Sequence, residues 1–156
     1  MPKKIDLANA PQGSGSSYPA PFDVPCRGRS WHRLGAAAGL TQIGVNLVRL
    51  APGAWSSQRH WHTHEDEFVY VLTGELVLVT DDGEESLTAG DCAGFPAGER
   101  NGHCLQNRST ADAVFLVAGN RNDADQGEYS DIDMAFRPGR YSAGASNYFH
   151  KDGRPY

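Results

Sequence analysis

The chain has little with which to cross-link itself and little with which to enter a membrane. Its 156 residues include three cysteines, Cys26, Cys92 and Cys104. The count is odd, and the spacing is not that of a structural zinc site. Reduced thiols and a cytoplasmic location are the expectation, with a Cys92–Cys104 bridge as the open alternative. No apolar run approaches the length that spans a bilayer. The opening segment, MPKKIDLANAPQGSG, has two lysines and no apolar core behind them, so it does not read as a secretory signal. Lysine is otherwise confined to Lys151. Net charge is −5 and no basic stripe stands out, which argues against nucleic acid or an anionic membrane as partner. Charged residues make up only 21%, and no long amphipathic stripe is visible, so a helical bundle is not expected.

What the chain has is turn chemistry. It holds 18 glycines and 9 prolines. Between them lie short runs of strand formers. Thr41 to Leu50, Ser57 to His64, Glu67 to Leu72, Glu75 to Val79, Glu85 to Thr88, Cys92 to Phe95, His103 to Asn107 and Ala113 to Val117 all read as extended. They recur about every ten residues, which predicts an all-β domain of antiparallel strands, a sandwich or a barrel. The reading divides the chain into an N-terminal arm over 1–30, with order beginning near Trp31, a barrel over 31–119 and a C-terminal extension over 120–156. Ile132, Met134 and Phe136 alternate with polar neighbours and suggest one more strand. The aromatic tail YFHKDGRPY is expected to dock on the barrel or on a partner subunit.

The stretch HWHTHEDEFVYVLTG, His60 to Gly74, carries the chemistry. Its three histidines fall at alternate positions, half of the six in the chain. On a strand His60, His62 and His64 share one face, close enough for two imidazoles to bind one cation. A carboxylate from Glu65, Asp66 or Glu67 follows at once. Imidazole with carboxylate suits Fe, Mn, Ni, Co or Zn. A helix would instead align His60, His64 and Glu67, but the strand formers from Phe68 onward argue against it. Glu67, Val69 and Val71 share one face of their strand, and Phe68, Tyr70 and Leu72 share the other. If Glu67 points inward, the aromatics need another cover, which suggests a homodimer.

His60-X-His62, then Glu67, then Gly74, resembles the first signature motif of the cupin superfamily. Gly90, Pro96-X-Gly98, His103 and Asn107 resemble the second. Two loops depart from the usual pattern: six residues separate Gly53 from His60, and four separate Gly98 from His103. The resemblance covers roughly Leu40 to Gly119. It implies a double-stranded β-helix, the jelly-roll-like barrel of cupins. It also implies that His60, His62, Glu67 and His103 bind one divalent metal ion, Fe, Mn, Zn or Ni. Four ligands leave two octahedral positions for a small-molecule substrate. Asn107 would close backbone hydrogen bonds rather than bind metal. Glu65 and Asp66 read as a solvated turn, and His32 and His150 have no companions.

Cupins include dioxygenases, isomerases, lyases and proteins that bind without turnover. The expectation is therefore a metal-dependent enzyme on a small polar metabolite, such as a sugar-phosphate isomerase or a dioxygenase. The alternative is a non-catalytic binding or sensing cupin. An isomerase needs a cationic clamp for the phosphate and a proton-transfer base. Arg49, Arg59, Arg100 and Arg108 are candidates for the clamp and His64 for the base, with no residue assigned.

Overall fold

Every strand pairing among the described residues is antiparallel. The computed structural model describes residues 4–142 and 147–156. The strands are β1 (Gln12–Ser14), β2 (Arg29–Arg33), β3 (Ile43–Leu50), β4 (Glu67–Thr73), β5 (Glu75–Thr80) and β6 (Gly83–Thr88). They continue as β7 (Cys92–Phe95), β8 (Cys104–Gln106), β9 (Ala113–Asn120), β10 (Gly127–Glu128), β11 (Ala135–Phe136) and β12 (Tyr148–Phe149). One turn of helix, α1 (Leu34–Ala37), links β2 to β3. A six-stranded sheet runs β1-β2-β3-β9-β4-β7, and a three-stranded sheet runs β6-β5-β8. A second three-stranded sheet, β10-β11-β12, is built by the C-terminal extension.

Parity explains the core. Along β4, Val69 and Val71 are buried, whereas Phe68, Tyr70 and Leu72 are 47%, 40% and 40% exposed. Val69 and Val71 meet Val48 and Leu50 of β3, Phe115 of β9, Leu76 and Leu78 of β5 and Leu105 of β8 in one cluster. Both large sheets thus contribute to a single core. Truncating a fully buried leucine such as Leu76 would cost about 2–5 kcal/mol. The β4–β5 turn depends on Gly74, whose φ is +82° and where a Cβ would lie 2.7 Å from the Asp112 carbonyl oxygen. Only glycine meets both conditions without strain. Asn107 is buried and closes backbone groups as expected. Its Nδ2 donates to the Leu50 and Ala111 carbonyls at 2.9 and 2.8 Å, and its Oδ1 accepts from Ser109 N at 3.0 Å.

Two expectations need correction. Order does not begin near Trp31. Among the described residues of the arm, β1 pairs with β2 (Gly13 opposite Trp31), and Tyr18 and Phe22 pack on a second core of Tyr129, Met134 and Phe136. Its polar, proline-rich composition hid a segment held by a few aromatics. The first three residues of the arm and residues 143–146 of the extension lie outside the described residues. Second, Ser57 to His64 is not a ladder strand, because its backbone partner changes along its length. Ser56 and His60 bond toward the β8 segment, through Leu105 O and His103 O, while Trp61 and Thr63 bond to Glu128 O and Gln126 O. Likewise Ile132 to Phe136 yields only the two residues of β11. Gly127 in β10 permits the close approach to Trp61, since a Cβ there would sit 1.9 Å from the Trp61 carbonyl oxygen.

Candidate metal centre and its cavity

The switch of partners at His60 builds the site. His60 N donates to His103 O at 3.2 Å and His103 N donates to His60 O at 2.9 Å. Residues directly opposed in such a bridge project side chains to the same face. The two imidazole centroids are 5.0 Å apart. His62, two positions on, returns to that face, with its ring 4.9 Å from that of His60. Glu67 enters from the first position of β4, its Oε2 3.5 Å from His62 Nε2 and its Oε1 3.6 Å from His103 Nε2. Ligand atoms of His60, His62 and Glu67 all lie within 4.8 Å of one another, so this trio could hold a metal ion. His64 does not join them. It is exposed, and its Nδ1 pairs with the Thr63 hydroxyl at 2.7 Å. His64 is thereby excluded as a base for chemistry in this cavity.

Each ring is held from behind. His60 Nδ1 lies 2.9 Å from the Gln58 carbonyl oxygen, which can only accept, so Nδ1 carries the proton and Nε2 the lone pair. His62 Nδ1 lies 2.7 Å from Asp125 Oδ2, which fixes the same tautomer. Such outer contacts orient metal-binding histidines. His103 stacks on Phe95, with centroids 3.6 Å apart and planes 3° off parallel. Both of its ring nitrogens are buried with no hydrogen-bond partner among the described residues. A buried polar atom left unpaired costs about 1–3 kcal/mol, and a cation at the centre would relieve it. The donor set therefore fits a divalent metal.

The electrostatics agree. Burial, and then the neighbouring His62 and His103, push the His60 pKa down to about 3, so its imidazole is neutral at physiological pH. Burial also opposes charge on His62, but Asp125 and Glu67 outweigh it and raise its pKa to about 9. Burial opposes charge on Glu67 too, yet His103 and His62 hold its carboxyl well below the usual range. A carboxylate beside imidazoles is the arrangement that receives a metal when the proton on His62 Nε2 leaves.

The four side chains face a cavity of about 480 Å³. One wall is hydrophobic, with Val48, Phe95 and Phe115. Another is formed by Tyr18, Tyr129 and Tyr148, whose hydroxyls burial keeps protonated at Tyr18 and Tyr129. Arg29, Arg33 and Arg140 also line it, and Glu67 is the sole lining carboxylate among the described residues.

Sequence reasoning missed several of these groups. Glu65 is not in a solvated turn: it is buried, ion-paired with Arg140 and bonded to the Tyr141 hydroxyl at 2.8 Å. Arg140 also lies 3.6 Å from Asp125, so a buried charged chain runs from the extension to His62. No local pattern marks Asp125 or Arg140, because they reach the site only through the tertiary path of the extension. Asp66 is exposed as expected and accepts from Ala97 N at 2.8 Å. None of the four clamp candidates faces the cavity. Arg49 bonds Asp112 at 2.9 Å, Arg59 bonds Asp131 at 2.7 and 2.9 Å and also Asp81, Arg108 bonds Glu84 at 2.7 Å, and Arg100 lies over Trp61. His150 pairs with Asp133 at 2.8 Å, and His32 sits in β2 outside the cavity lining.

Residues 46–119 match the Cupin domain family. The chain is also 49% identical to a sugar phosphate isomerase of the cupin superfamily from Silicibacter pomeroyi DSS-3, whose crystal structure superposes with a TM-score of 0.92 over 99% of this chain and 96% of that one. The chain belongs to the cupin superfamily. This cupin is 30% identical to a protein proposed to be a sugar phosphate isomerase from Acidithiobacillus ferrooxidans, with a TM-score of 0.72 over 82% of this chain and 80% of that one. The polyketide cyclase RemF from Streptomyces resistomycificus shares the fold at 20% identity, with a TM-score of 0.62 over 77% of this chain and 80% of that one. A comparison with curated protein sequences finds no match. No helix among the described residues is long and apolar enough to cross a membrane.

Proposed function

We propose that this cupin is a metal-dependent isomerase of a small sugar phosphate, with His60, His62, Glu67 and His103 holding one divalent ion. The convergence of three imidazoles and one carboxylate on one face of the cavity carries the reading. The 49% identity to a sugar phosphate isomerase supports the reaction class. Bound there, the ion would act as a Lewis acid toward a carbonyl and its neighbouring hydroxyl. The chain supplies the rest. Gln58 and Asp125 hold both imidazoles with Nε2 turned to the centre. The Tyr18 and Tyr129 hydroxyls stay protonated and can donate to substrate oxygens. Phe95, Val48 and Phe115 supply an apolar wall on which the carbon chain of the substrate would lie.

Proton NMR in heavy water tests this. Metal-loaded protein is incubated with a panel of aldose and ketose phosphates. The expected result is interconversion of one pair, with solvent deuterium entering beside the carbonyl. Chelation abolishes it, a divalent metal restores it, and His62→Ala lacks it. If every sugar phosphate returns unchanged, the isomerase reading fails and the non-catalytic binding cupin takes its place. Oxygen uptake with the iron-loaded protein would favour the dioxygenase instead.

A further inference from the structure

The cavity holds a partly buried cation, Arg29, with no counter-ion among the described residues. Arg29 projects from β2 into it, and its guanidinium carbon lies 4.6 Å from the centroid of the Trp31 ring. Its Nη1 reaches the Gly15 carbonyl at 3.3 Å. Its Nε is buried with no partner among the described residues. Of the two arginines of the cavity that are not exposed, Arg140 is ion-paired with Glu65 and lies 3.6 Å from Asp125, whereas Arg29 holds no carboxylate within salt-bridge distance among the described residues. Burial pushes its pKa down, and the charge of Glu67 is among those that oppose the shift. A desolvated cation with no anion beside it is destabilising unless a ligand brings one.

We propose that Arg29 is the anion-binding residue of the cavity and takes the phosphate of the substrate, in the same cavity that His60, His62 and Glu67 line. The proposal rests on the isomerase reading for the identity of the ligand, not for the existence of the subsite. Guanidinium geometry matches the oxygens of a phosphate monoester. Ser16 and Ser17 line the same cavity, and the Ser17 hydroxyl bonds the Tyr148 hydroxyl at 2.9 Å, so neutral donors share the cavity with the cation. Arg33 lies on the same face of β2, exposed at the cavity mouth, where it steers anions inward. The chain carries a net charge of −5, so positive charge gathered in this cavity opposes the overall balance. The subsite is assembled largely by the N-terminal arm, which places substrate recognition on β1, β2 and the loop between them.

The test uses inorganic phosphate as probe on the metal-loaded full chain. Thermal unfolding and calorimetric titration are run on wild type, Arg29→Met and Arg29→Lys, with bound metal measured in each. Phosphate is expected to raise the melting temperature of wild type. Arg29→Met should keep its metal, melt no lower than wild type in phosphate-free buffer, and bind phosphate at least about tenfold more weakly. Arg29→Lys should recover part of the binding, since it restores charge without the fork. Equal phosphate affinity in wild type and Arg29→Met would overturn the proposal. Acetate in place of phosphate separates the two anion classes: tighter acetate binding through Arg29 would overturn the phosphate assignment. Phosphate binding through Arg29 with no isomerisation would leave the subsite standing and refute the isomerase reading.

Discussion

His60 and His103 hold each other's backbones in a two-way bridge, 43 residues apart in sequence (60 to 103), with both imidazoles on the same side. The four residues between Gly98 and His103 therefore do not displace the second motif. The longer loop is absorbed at Glu99 to Gly102, where Asn101 donates to Asp82 at 2.6 Å. The position of His103 is set by the bridge rather than by the count from Gly98.

His103→Ala tests the consequence. The bridge uses main-chain atoms, so the barrel should survive, as far-UV circular dichroism would record. Bound metal, measured by mass spectrometry after exhaustive dialysis, should fall well below the wild-type stoichiometry. Full occupancy in His103→Ala would remove it from the ligand set.

Asp125 is expected to matter almost as much without touching the ion. It fixes the His62 tautomer at 2.7 Å and also accepts from His64 N at 2.9 Å. Asp125→Asn keeps the shape but loses the charge, and metal affinity should drop about 10–100-fold. A chelator competition titration reads this directly. Unchanged affinity would show that the Gln58 and Glu67 contacts alone suffice to orient the pair.

The legible and illegible parts of this site differ for a physical reason. Alternation of side chains along extended backbone put His60 and His62 together, and the same parity sent Phe68 and Tyr70 outward. These are local rules, and the structure obeys them even though Ser57 to His64 is not a ladder strand. Arg29 was illegible because it lies in a segment whose composition reads as an arm, and its place comes from pairing Arg29 with Leu50 across β2 and β3. Glu65 was illegible for the opposite reason. It sits inside the motif, in a polar turn by composition, and is buried only because Arg140 and Tyr141 return from a distant part of the chain.

Asn107 offers a test of stability separate from the metal. Its side chain ties β3 at Leu50 to the turn before β9 at Ala111. Asn107→Ala leaves buried carbonyls without donors, at about 1–3 kcal/mol each. Denaturant unfolding should show a loss of about 2–4 kcal/mol with an unchanged m-value. The folded fraction should retain its metal, because no atom of Asn107 lines the cavity. A loss under about 0.5 kcal/mol would mean that water replaces the amide.

The cysteines give a prediction in which burial sets reactivity. All three are free, with Cys92 exposed on β7 and Cys26 and Cys104 buried. Cys92 and Cys104 stand on strands of different sheets, one exposed and one buried, and are not bonded to each other. Burial first, opposed in part by Arg29, raises the Cys26 thiol to about 11. Burial raises Cys104 likewise to about 11, against the bond from Gln106. The thiolate is the reactive form, so at pH 8 about one in a thousand of these two groups is ionised, and both are shielded besides. Iodoacetamide at pH 8 should label one site per chain rapidly, Cys92 by peptide mass spectrometry, and all three after unfolding. Because Cys26 lies on the arm that carries the Arg29 wall, its labelling rate also reports whether that wall opens. Fast labelling of Cys26 in the folded protein would mean that the arm detaches in solution, and phosphate would then be expected to slow it.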